Sequence, residues 1–74
     1  MTRRRRTTSD WLAELGRIVR KRFNLSDDWL LVRTAWVGDM GEKGMDVTLR
    51  SQSGKITARL TQAECDQANW EETP

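Results

Sequence analysis

The chain has no histidine and no tyrosine, and only one cysteine, one proline and one phenylalanine among its 74 residues. Without histidine it lacks the commonest general base and the usual partner of a nucleophilic serine or cysteine. The single cysteine, Cys65, excludes an intramolecular disulfide and a cysteine-built zinc cage. So little cysteine suits a reducing, cytoplasmic location. Apolar runs are short, as in "WLLV" at 29–32, and none could span a membrane. The arginines at 3–6 are not followed by an apolar stretch, because Glu14 and Arg17 soon interrupt it, and this argues against a signal peptide.

No nucleophile–base constellation remains, so no catalysis is expected. Asp27 and Asp28 read as a solvated turn. Asp39, Glu42 and Asp46 in "GDMGEKGMD" lack the alternating spacing of a calcium loop, and no phosphate-binding GK[ST] occurs. Neither a metal nor a cofactor is therefore expected.

Four tryptophans (Trp11, Trp29, Trp36, Trp70) supply most of the aromatic surface. Each buries roughly 150–250 Å², a large share of a core this small. Charge is unevenly spread behind a net +2. Residues 1–25 hold eight basic and two acidic side chains, and residues 26–74 hold five basic and nine acidic ones.

Local patterns predict a small α+β domain ordered α-β-β-β-α. A three-stranded antiparallel sheet would pack against an N-terminal amphipathic helix, with a short C-terminal helix after it. Residues 1–8 read as a disordered basic tail, 9–70 as the domain and 71–74 as an acidic tail end. Ser9 is the expected N-cap of the first helix. Trp11, Leu12, Leu15, Ile18 and Val19 form its apolar face, and Arg17, Arg20 and Lys21 lie opposite. Asn24 suits the left-handed stop position, with Leu25 folding back. Residues 29–37 read as a strand. Met45, Val47 and Leu49 alternate with polar residues, as do Ile56, Ala58 and Leu60, which gives a hairpin. With Ser53-Gly54 at its tip, Leu49 would face Ala58 and Val47 would face Leu60, while Arg50 would face Thr57 and Thr48 Arg59. Thr61-x-x-Glu64 is a capping box that opens a helix over roughly 62–69, with Leu60 and Cys65 as its staple and Ala63, Ala68 and Trp70 facing inward.

The order α-β-β-β-α is also that of the double-stranded-RNA-binding domain. That family opens its second helix with lysines aimed at phosphate. Here the segment is "TQAECDQ", whose Glu64 and Asp66 repel phosphate, so membership is not inferred.

Two modes of binding follow. In the first, the chain is a protein-interaction module, an adaptor or small inhibitor of the kind carried by phages and other mobile elements. Its strand 29–37 would turn Leu30, Val32 and Trp36 toward the helix. Trp29, Leu31, Arg33, Ala35 and Val37 would face outward, because inward Arg33 would be costly without a partner. Trp29, Leu31, Arg33, Arg50 and Arg59 are then the candidate protein-binding residues, an aromatic anchor with arginines for an acidic partner. In the second, Arg3, Arg4, Arg5 and Arg6 form an arm that binds nucleic acid, extended by Arg17, Arg20 and Lys21. A homodimer through a sheet edge is a third arrangement.

Overall fold

A computed structural model describes residues 2–38 and 43–73. The elements are β1 (Thr2–Arg5), α1 (Thr8–Arg22), β2 (Leu30–Val37), β3 (Gly44–Ser51), β4 (Gly54–Thr61), α2 (Gln62–Ala68) and β5 (Trp70–Thr73). β2, β3 and β4 form an antiparallel sheet in that order, with α1 and α2 beside it. This is the α+β arrangement that the local patterns predict. Two further strands bracket it: β1 pairs antiparallel with β5, so the two terminal segments close on each other. The stretch expected to be a disordered tail is therefore a strand as far as Arg5, and the acidic end is its partner.

The apolar face of α1 meets one face of the sheet. Leu15 and Val19 are fully buried with Met45, Val47, Leu49 and Leu60, and Ala58, Cys65 and Ala68 complete the core. Trp11, Leu12, Ile18, Leu25, Trp29, Leu31 and Ile56 pack around it, partly buried. The Trp11 indole Nε1–H donates to the Cys65 carbonyl at 2.9 Å and ties α1 to α2.

The helix ends are governed by local chemistry. The cap of α1 lies two residues before the expected one: the Thr7 hydroxyl, not Ser9, accepts from the Asp10 backbone N–H. Thr7, Thr8 and Ser9 are all competent caps, and Thr7 is the one placed where β1 ends. α1 stops as expected. Asn24 adopts φ 54°, its N–H donates to the Lys21 carbonyl, and Leu25 N–H donates back to Arg20. That pair of bonds, with Leu25 against the core, is a Schellman motif. The capping box at Thr61 and Glu64 is complete in both directions. Cys65 and Ala68 face inward from α2, but Ala63 is exposed, contrary to expectation.

The β3–β4 hairpin keeps its predicted faces but not its predicted register. Its turn is Gln52-Ser53, closed by Ser51 opposite Gly54, whose φ of 144° favours glycine. Leu49 lies opposite Ile56, Val47 opposite Ala58 and Met45 opposite Leu60. The shift from expectation is two residues, which leaves every side chain on its face. It also sets Arg59 against Asp46 and Thr48 against Thr57, which are favourable cross-strand pairs. At the other end of β3, a Cβ on Gly44 would lie 2.9 Å from the Leu60 carbonyl oxygen, so the backbones approach too closely there for a larger residue.

β2 carries the main correction. Leu31 pairs with Leu49 and Arg33 with Thr48, leaving Val32 as an extra residue in a bulge. After the bulge the expected alternation holds: Thr34 and Trp36 stand opposite the core residues Val47 and Met45, and Arg33 and Ala35 opposite Thr48 and Asp46. Before it the alternation is reversed. Trp29 and Leu31 pack against the core, while Leu30 and Val32 are 61% and 54% exposed.

Candidate interaction surfaces

Both helices contribute to the core on one side of the sheet. Among the described residues, no element packs on the other side. That outer face carries Leu30 and Arg50 across one pair, Arg33 and Thr48 across the next, then Ala35 and Asp46. β4 adds Lys55, Thr57 and Arg59 in the same rows. Asp46 accepts from Arg59 Nε at 3.0 Å, and Thr48 and Thr57 share a hydroxyl hydrogen bond of 2.9 Å at the centre. The result is an apolar margin at Leu30 and Val32 along the edge strand, with a basic cluster of Arg33, Arg50 and Lys55 beside it.

Of the residues expected to form a protein-binding face, Arg33, Arg50 and Arg59 lie on this surface. Trp29 and Leu31 do not, because the bulge turns them inward. Leu30 and Val32 take their place, and nothing in the local pattern marked them. Trp36 is on the helix side of the sheet but beyond the helices, and is 55% exposed. It lines a shallow recess with Val37, Gly38, Lys43 and Gln62.

The N-terminal arginines are largely engaged within the fold. The guanidinium of Arg3 lies 4.9 Å from the ring centroid of Trp70. Arg4 pairs with Glu71 at 2.8 Å. Arg6 donates from its backbone to the Asn69 carbonyl at 2.6 Å, and from its guanidinium to the Ala68 and Trp70 carbonyls at 2.9 and 2.8 Å. Ala68 ends α2, which has no basic residue in its last turn. Arg6 thus brings a positive charge from the other end of the chain to the negative end of that helix. Two other members of the expected nucleic-acid surface are similarly occupied. Arg17 donates to Glu14 from Nε at 2.9 Å, and Arg20 donates to the Trp29 carbonyl at 3.1 Å. Arg22 pairs with Glu64. Arg5 and Lys21 are exposed.

The carboxylates follow the same logic. Glu14 is held below its ordinary value chiefly by the hydrogen bond from Arg17; burial opposes this, and the charges of Arg17 and Arg6 add to the lowering. Glu64 is lowered first by the Thr61 backbone N–H and then by Arg22, again against partial burial. Burial pushes the Cys65 thiol up, with Asp66 and Glu64 adding to it, so the thiolate is scarce at neutral pH. Of the three acids weighed as oxygen ligands, Asp46 is bonded to Arg59, and Asp39 and Glu42 lie outside the described residues. Among the described residues no group of three metal-ligating side chains occurs, and no helix is long and apolar enough to cross a membrane. Comparison with known protein families, curated proteins and solved structures finds no match for this chain.

Proposed function

We propose that the chain is a protein-interaction module whose docking surface is the outer face of the β2–β3–β4 sheet. The observation that carries this reading is the combination of Leu30 and Val32, both more than half exposed, with the basic cluster of Arg33, Arg50 and Lys55 on a sheet face no described helix covers. An exposed apolar margin beside arginines fits a partner segment with apolar side chains flanked by carboxylates. Leu30 and Val32 would bury against the apolar residues, and Arg33 and Arg50 would pair with the acids, steering approach and fixing orientation. The partner could run alongside β2, an edge strand, although the bulge at Val32 interrupts a regular ladder there and blunts self-pairing.

A peptide library panned on the full chain tests this. Selected peptides should be rich in acidic and apolar residues. They should lose at least about tenfold in affinity to a Leu30→Ser/Val32→Ser variant, the loss expected of a small hot spot. They should lose less to Trp36→Ser, which lies on the other side. Peptides indifferent to Leu30 and Val32 would sink the reading. A concentration-dependent dimer abolished by the same double variant would assign the face to a second copy of the chain.

A further inference from the structure

The β1–β5 ribbon buries little apolar surface. β1 is exposed along its length and Trp70 is 40% exposed. Four backbone register pairs hold the ribbon, together with the Arg4–Glu71 ion pair and Arg3 over Trp70. Arg3 also stands directly opposite Glu72 in the register. A two-stranded ribbon without a covered apolar face is marginal in water, and exposed ion pairs add little and are screened by salt. The ribbon therefore opens at lower free energy than the core of α1, α2 and the sheet. Opening frees Arg3 from Trp70 and Arg4 from Glu71 beside the already exposed Arg5, while Arg6, tied to the end of α2, marks the hinge.

We propose that β5 is an intramolecular mask over an arginine strand whose external ligand is the phosphate backbone of a single-stranded nucleic acid. Strand and ligand offer the same chemistry, an oxyanion facing a guanidinium, as Glu71 faces Arg4. Phosphate is favoured over a competing acidic peptide on three grounds. The arginine fork pairs bidentately with phosphate. A nucleic acid releases condensed counterions when its charges are neutralised. Trp70, parted from Arg3, supplies a surface on which a base can stack. The inference uses no residue of the outer sheet face, so the two proposals stand or fall separately.

The test is fluorescence anisotropy with a labelled oligothymidylate of about 20 nucleotides, using the full chain at about 0.1 M salt. Glu71→Gln removes the ion pair with Arg4 and weakens the mask. Asp27→Asn changes the net charge equally, in an exposed turn remote in sequence from the ribbon. The ribbon variant should bind about tenfold more tightly than the parent, and the control no more than about twofold, because only the first unmasks arginines. Backbone amides of β1 in the parent should exchange with solvent well before those of β3, and faster still in the ribbon variant. Four results would overturn the proposal: equal tightening in both variants, none in either, a polyglutamate peptide bound to the ribbon variant as tightly as the oligonucleotide, or β1 amides as protected as those of β3.

Discussion

Arg6 shows how one side chain can serve as both cap and fastener. A helix end leaves carbonyls without intrahelical partners, and a cation there also meets the negative end of the dipole. α2 supplies no such cation itself, so Nη1 of Arg6 takes the Ala68 carbonyl at the helix end together with that of Trp70, the first residue of β5. Hydrogen bonds to a charged group contribute more than neutral ones, so Arg6→Ala should cost about 2 kcal/mol in urea unfolding. Arg6→Lys should retain only part of that, since an ammonium on a flexible stem is less preorganised than the guanidinium Nη1. Equal stability of parent and alanine variant would show that water serves the carbonyls as well. Features of this size are legible in a sequence when both partners are close in the chain. Thr61 with Glu64, and Asn24 with Leu25, could be read directly for that reason. The pairing of Arg6 with Ala68 could not, because 62 positions separate them.

At the scale of elements, the outcome turned on what alternation can and cannot detect. A period of two distinguishes the faces of a strand but is blind to an even shift, so the β3–β4 hairpin was legible in its faces and not in its register. What settles the register is pairing: Asp46 against Arg59 and Ile56 against Leu49. In β2 alternation fails differently. One extra residue at Val32 reverses every face assignment before it, and no glycine or proline marks the site. The candidate surface inherited that error, since Trp29 and Leu31 were assigned outward by the same alternation that correctly placed Arg33. The reversal makes a clean prediction. Leu31→Ala, removing a side chain packed against the core, should cost about 2 kcal/mol, whereas Leu30→Ala should stay within about 0.5 kcal/mol. Strict alternation demands the opposite order, so paired urea melts of these two variants discriminate between the assignments.

Across the whole molecule, the uneven charge of the chain resolves into complementary ends: the basic start and the acidic finish form one ribbon, and Glu14 and Glu64 gather arginines from α1 and the N-terminal segment. Both signals were present in the sequence as "RRRR" and "WEET". Their meeting was not, because no local rule pairs the first residues with the last. This arrangement makes stability depend on acid. The carboxyls of Glu14 and Glu64 both fall below the ordinary value of 4.5 on folding. A group of that kind binds protons more readily in the unfolded chain, so its contribution is fully present above the unfolded value and is lost as pH falls through the folded one. Stability should therefore hold between pH 7 and the ordinary carboxylate range and decline below it. Urea titrations across that span should show the decline, and Glu14→Gln/Glu64→Gln should be less stable than the parent at pH 7 yet show a shallower fall on acidification. The contrast should shrink at about 1 M salt, where screening reaches within roughly 3 Å and the partly exposed pairs with Arg17 and Arg22 weaken. If the double variant falls as steeply as the parent, these two carboxylates are not what couples folding to pH, and the arginines around them would serve packing rather than charge.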